Sequence, residues 1–260
     1  VTAVFDAYAR YYDLLYREKD YAAESRYVSD RIRERAPGAR RILELGCGTG
    51  AHAVHLAQLG YEVHGIDLSE NMVQRALARK RQLTADVAAR ISFDTGDVRS
   101  FRSGEEYDVV ISLFHVMSYQ TSNSDLGAAF ATAAAHLQPG GLFLFDFWYG
   151  PAVLTEHPEV RVRRLEDDTI RVVRIAEPAV HTERNVVDVN YTLFVEDKAS
   201  ARVEQIRETH SMRYLFLPEI EQLASLAHFE SLQAHAWLSS RTLQTGDWSG
   251  FVSMTRCQSA

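Results

Sequence analysis

The chain has 260 residues, 46% of them hydrophobic, enough for one large domain or two small ones and too long to depend on disulfide or metal staples. Its 28 Lys and Arg face 35 Asp and Glu, and the formal charge of -7 repels polyphosphate backbones, which argues against a nucleic-acid partner. No run approaches about 18 apolar residues, so no membrane span is expected, and Cys47 and Cys257 read as reduced thiols of a cytoplasmic protein.

Phe5, Tyr8, Tyr12 and Tyr16 recur at spacings of three and four, which is one helical face. Asp6, Arg10 and Asp13 lie among them, unlike a secretory leader. Val1 is an unusual start and points to the loss of one or a few leading residues. A second helix is expected over 21–35, stopped by Pro37 and Gly38. A strand–helix series follows: strand 41–45, helix 49–59 stopped by Gly60, and strand 61–66. Ser69 caps the next helix, with Glu70 near its positive end. Strands begin at Ile91 and cover 107–114 and 142–147, with a helix over 125–137 and a QPGG turn before the last. Helices alternating with nearly continuous apolar strands give an α/β sheet covered on both faces.

The rhythm changes after Trp148. Val187, Val189, Tyr191, Leu193 and Val195 alternate with Asp188, Asn190, Thr192 and Phe194, a half-buried strand with one lapse at Phe194. Segments 170–175 and 202–212 read as its antiparallel neighbours. His181 and His210 fall in this region and read as surface or loop residues without a role. Pro218 opens a helix carrying Ile220, Leu223, Ala224 and Ala227 on one face. Strands near 231–238 and 251–257 close the chain. The division expected is a helical cap over 1–39, a core over 40–158 and 216–260, and a β-rich insertion over 159–215 that is a candidate homodimer surface.

The sharpest motif is Leu43-Glu44-Leu45-Gly46-Cys47-Gly48-Thr49-Gly50, after a strand and opening a helix. Gly46 and Gly48 permit a sharp turn and close approach of a ligand to the backbone. Asp67 ends the next strand, where an acid commonly accepts from ribose hydroxyls. With Ala51, the spacing Gly46-x-Gly48-x-x-Ala51 also fits a relaxed dinucleotide fingerprint, so a nicotinamide oxidoreductase is a competing class. A metal site is not expected: no Cys pair has ligand spacing, and His52 and His55 share a helix face without a third ligand. No Gly-x-Ser-x-Gly elbow or Walker loop is present.

Together with "GIDLSENMVQRA" over 65–76, "FDTGDVR" over 93–99, "YDVVISLF" over 107–114 and "LQPGGLFLFD" over 137–146, this motif resembles the class I S-adenosylmethionine-dependent methyltransferases. The resemblance implies a Rossmann-like sheet of seven strands in the order 3-2-1-4-5-7-6, the last strand antiparallel. It implies S-adenosylmethionine as cofactor. Gly46, Gly48 and Gly50 then wall its methionine part, Asp67 holds the ribose beside Leu68, Asp97 accepts from the adenine amine, and Val98 lines the ring. Phe114 and His115 lie near the sulfonium, and Glu44 shapes the loop from behind.

"YARYYDLLY" over 8–16, "KDYAAES" over 19–25 and "FDFWYGP" over 145–151 are similar to enzymes that dimethylate the amine of nucleotide-linked deoxyaminosugars. That similarity implies Tyr12 closing over the cofactor's methionine end, with Tyr21, Trp148 and Tyr149 near the acceptor. Members with a histidine at the acceptor carry it five residues beyond the strand-four phenylalanine, where this chain has Tyr119.

In-line methyl transfer needs alignment and a place for a proton. A neutral amine needs little base help, whereas a hydroxyl needs a base within about 2.6–3.2 Å. Tyr119, His115 and Tyr12 are therefore the candidate catalytic residues: Tyr119 to orient an amine, His115 as a base for a hydroxyl, Tyr12 to steady positive charge with its ring. The expected function is N-methylation of a small polar amine, with O-methylation of a sugar or other hydroxylated metabolite as the alternative.

Overall fold

The computed structural model describes residues 14–258. The stripe Phe5, Tyr8 and Tyr12 lies outside them. Helix α1, Tyr21–Arg35, starts where Asp20 accepts from the Ala23 N–H at 2.8 Å, and carries Glu24 in its first turn with Arg33 and Arg35 in its last. Ser25, Val28, Ser29 and Ile32 form its buried stripe. Arg35 ties its end to the carbonyls of Ser253 and Ser231.

The core runs β1 (Arg41–Leu45), α2 (Ala51–Gln58), β2 (Glu62–Asp67), α3 (Glu70–Lys80), the short α4 (Ala85–Ala88), β3 (Ile91–Thr95), β4 (Tyr107–Ser112), α5 (Asn123–His136), β5 (Leu137–Tyr149) and α6 (Gly150–Thr155). An antiparallel set follows: β6 (Arg161–Glu166), β7 (Ile170–His181), β8 (Val186–Asp197) and β9 (Val203–Leu215). Helix α7 (Leu217–Leu226), β10 (Phe229–Ala236) and β11 (Ser249–Arg256) end the chain.

Strands β3, β2, β1, β4 and β5 are parallel neighbours, β11 joins β5 antiparallel, and β10 joins β11. This is the expected seven-strand order, with β10 and β11 as the sixth and seventh. Alternate residues feed opposite faces. Leu43, Leu45, Phe143, Phe145 and Phe147 pack with Phe130 of α5 and Ile220 of α7. Ile42, Leu142 and Leu144 pack with α1, α2 and α3 through Val28, Ile32, Leu56 and Val73. Strands buried on both faces explain the continuous apolar runs.

The QPGG segment expected as a turn is the first part of β5. The strand starts directly after α5, and a register shift opposite Tyr107–Val109 absorbs the extra residues, with Gly140 at φ +84°. The strands of the β insertion run beyond the segments 170–175 and 202–212. Strand β7 reaches His181 and β9 reaches Leu215. Strand β9 bridges to β5 at Trp148–Tyr214 and Tyr149–Leu215, so the insertion continues the sheet at the end of β5. Among the described residues no helix is long and apolar enough to cross a membrane.

Candidate active site

A cavity of about 480 Å³ opens at the carboxyl ends of the parallel strands, between the core and the insertion. One half is built by the loop after β1. Gly46, Gly48 and Gly50 take φ of +77°, +54° and +74°, which L side chains rarely adopt. The N–H groups of Gly46 and Cys47 both donate to the Ile66 carbonyl at 2.8 Å, closing the turn onto β2. Asp67 then accepts from the Gly48 N–H and the Ser69 N–H, each at 2.9 Å. Burial pushes its carboxyl up, and these two donors oppose that rise.

Gly46, Gly48, Asp67, Leu68, Asp97 and Val98 all line the cavity. A Cβ on Gly48 would meet nothing within 4 Å, so the loop leaves a cradle there. Gly50 does not line the cavity. Its missing side chain makes room for Phe93, which a Cβ would meet at 2.6 Å, and its φ starts α2. Asp97 is held by Arg99, whose Nε and Nη2 reach its two oxygens at 2.9 and 2.6 Å. Those hydrogen bonds keep the Asp97 carboxyl below the usual range.

Behind the loop, His52 Nε2 sits 2.7 Å from Glu24 and its Nδ1 lies 3.6 Å from Glu44. Lys19 pairs with the same Glu24. This buried chain fastens α1 to the loop, so His52 bridges the carboxyl groups of Glu24 and Glu44 and does not join His55, which faces Gln58. Burial pushes the Glu44 carboxyl up to about 8, helped by Asp67. Burial also raises the Cys47 thiol, which makes it a poor nucleophile. Among the described residues no group of three or more His, Cys, Asp or Glu could hold a metal ion.

The second half of the cavity is aromatic. Phe114 and His115 leave β4 with φ of 65° and 62°, two successive left-handed residues held in a costly corner. His115 Nδ1 lies 2.8 Å from Asp146 Oδ2. A 3₁₀ turn over Val116–Tyr119 follows and turns Tyr119 into the cavity. Ser118 Oγ accepts from the Trp148 N–H at 3.1 Å, which fixes this turn to β5. Trp148 lines the cavity and stands edge-on to Trp248. Tyr21 lines the cavity with its ring edge-on to His52. Tyr149 does not line it and packs edge-on against Phe147.

The profile described as "Methyltransferase domain" matches residues 42–141. The chain is 38% identical to the dTDP-3-amino-3,4,6-trideoxy-alpha-D-glucopyranose N,N-dimethyltransferase of Streptomyces venezuelae over 151 residues, 57% of this chain and 60% of that protein. It is 29% identical to the dTDP-4-amino-2,3,4,6-tetradeoxy-D-glucose N,N-dimethyltransferase of Saccharopolyspora spinosa over 76% of this chain and 83% of that one. The solved structure of DesVI from Streptomyces venezuelae superposes with a TM-score of 0.79 at 27% identity, covering 96% of this chain and 98% of the other.

The chain belongs to the class I S-adenosylmethionine-dependent methyltransferases.

Several residues of this methyltransferase's cavity escaped the sequence reading. His210 is not a surface residue. It lies on β9, 4% exposed, lines the cavity and bonds the Tyr119 hydroxyl through Nδ1 at 2.8 Å. Tyr191 of β8 lies edge-on to it at 5.0 Å. Glu208, His210 and Met212 share one face of β9 by the strand's two-residue period, a signal present in the sequence. Asp146 is the other omission. A lone acid inside the apolar run FLFDFWY points to a buried partner, here His115. Arg213 ties the insertion over the cavity by bonding the Thr121 carbonyl and Asn123, and pairs with Glu219. Tyr12 lies outside the described residues.

Proposed function

We propose that this methyltransferase transfers methyl groups from S-adenosylmethionine to the amine of a nucleotide-linked or antibiotic-type aminosugar. The observation that carries this reading is a single cavity with two unlike halves: a glycine cradle with a half-buried acid, and an aromatic wall with two imidazoles. The names of the two N,N-dimethyltransferase relatives support the acceptor class.

Gly46 and Gly48 hold the methionine part of the cofactor, Asp67 and Leu68 its ribose, and Asp97 and Val98 its adenine. Bound S-adenosylmethionine supplies an electrophilic methyl on a sulfonium. Phe114 and Trp148 contribute aromatic rings whose faces steady positive charge beside the reacting nitrogen. Tyr21 bounds the acceptor side, Tyr119 orients the amine, and Arg161 at the cavity edge offers a cation to a diphosphate. Tyr12 closes over the methionine end. The work of the protein is alignment and exclusion of water.

The test follows S-adenosylhomocysteine release with a nucleotide-linked aminosugar and with the same nucleotide sugar carrying a hydroxyl instead. Release with the amine alone supports the reading. Release with the hydroxyl alone replaces it with O-methylation and brings His115 forward as base.

A further inference from the structure

We propose that Tyr119, His210 and Glu208 form a proton relay that takes the proton from the acceptor's ammonium group. The inference rests on the amine reading above.

Three geometric observations carry it. The Tyr119 hydroxyl lies 2.8 Å from His210 Nδ1, and both side chains line the cavity. His210 Nε2 lies 3.3 Å from Glu208 Oε2. The Glu208 side chain is 5% exposed, and its other oxygen, Oε1, is buried with no hydrogen-bond partner among the described residues. A carboxylate only accepts, so Glu208 fixes the proton of neutral His210 on Nε2. Nδ1 is then a lone pair, and Tyr119 must donate to it. The chain of bonds runs one way, from the cavity to the imidazole.

Aliphatic ammonium groups titrate at about 8 to 10, so near neutrality the acceptor arrives protonated and without a lone pair. In the relay one N–H bond of the ammonium breaks and its proton goes to the Tyr119 oxygen. The Tyr119 O–H bond breaks in concert and that proton goes to His210 Nδ1. The products are a neutral amine, a restored phenol and an imidazolium, whose charge the Glu208 carboxylate balances. Each methylation returns the nitrogen to an ammonium, so a dimethylating enzyme uses the relay twice. Proton loss from His210 to water between the two steps resets it.

The surroundings keep Tyr119 a phenol, so it passes the proton on to the imidazole and does not rest as phenolate. Burial raises the Tyr119 phenol well above its ordinary value, and Tyr16, Tyr191, Glu208 and Asp67 add to the rise from the elements around it. Arg174 of β7 lies over the Tyr191 ring at 4.9 Å, with Arg161 as a second cation toward that ring. His115 also lines the cavity, and its Nδ1 lies 2.8 Å from Asp146.

The test measures kcat/KM on an aminosugar nucleotide from about pH 6.5 to about pH 10 for wild type, His210→Gln and Tyr119→Phe. Titration with S-adenosylhomocysteine checks that each variant is folded. We expect each variant to lose about 10²-fold near pH 7 and to recover toward wild type at about pH 10, where the acceptor arrives as free amine. A deficit that is equal at all pH values, or no deficit, overturns the relay while leaving the amine reading intact. A wild-type enzyme that methylates only the hydroxyl analogue overturns the amine reading and the relay with it. Nitrogen NMR of the free protein gives a second readout: His210 is expected as the Nε2–H tautomer near neutrality, and an Nδ1–H tautomer overturns the relay whatever the acceptor.

Discussion

One buried carboxylate holds both ends of His115: Asp146 Oδ1 accepts from its backbone N–H at 3.1 Å, and Oδ2 lies 2.8 Å from its ring Nδ1. His115 follows the end of β4 and Asp146 lies within the neighbouring β5, so Asp146 fixes the left-handed corner at Phe114 and His115 that shapes the cavity wall. Burial pushes the Asp146 carboxyl up, but the charge and hydrogen bonds of His115 outweigh it and leave it below the usual range. Its contribution is therefore present above the unfolded carboxylate value of about 3.9 and is lost as pH falls through the lower folded value. Asp146→Ala is expected to cost about 3 kcal/mol in urea unfolding at neutral pH. The difference from wild type should shrink in strong acid. An unchanged midpoint at neutral pH would show that the corner stands without its carboxylate.

Gly48→Ala and Gly46→Ala should separate binding from folding. At Gly48 an added methyl has open space and enters the cradle, at a strain of about 1–2 kcal/mol for the positive φ. At Gly46 it meets Val116 at 2.6 Å. Gly48→Ala should remain folded by circular dichroism while losing S-adenosylhomocysteine binding in calorimetry, and Gly46→Ala should lower the melting temperature further. Full affinity in Gly48→Ala would remove that glycine from the cofactor wall.

Glu44 gives a pH dependence of the opposite sign to that of Asp146. Its folded value near 8 exceeds the unfolded value of about 4.3, so the folded state retains a proton that the unfolded state loses. Stability should fall as pH rises between those values and level off above about 8. Glu44→Gln removes the titration and should flatten this slope, gaining a few kcal/mol relative to wild type at about pH 9. Melting temperatures of both proteins across this range check it, and parallel curves would refute it.

The glycine-loop half of the cavity was legible because it is local in sequence. Gly46, Asp67 and Asp97 each follow a parallel strand, and their spacing reflects strand–loop–helix geometry. At Gly50 the positive φ and the close packing against Phe93 already require glycine, so its identity carries less information about a ligand. The aromatic half was less legible because it is assembled by distant pairing. His210 meets Tyr119 across 91 positions through the register of β8 and β9, which turn chemistry alone does not fix. The QPGG segment misled for a related reason: a bulge in β5 absorbs residues that otherwise read as a turn.

The most direct test is mass spectrometry of a matched pair of nucleotide-linked sugars, one bearing an amine and one a hydroxyl at the same carbon, after incubation with enzyme and S-adenosylmethionine. We expect a gain of about 28 Da on the amine, two hydrogens replaced by methyls, through an intermediate gain of about 14 Da, and none on the hydroxyl. A gain on the hydroxyl with none on the amine would contradict N-methylation.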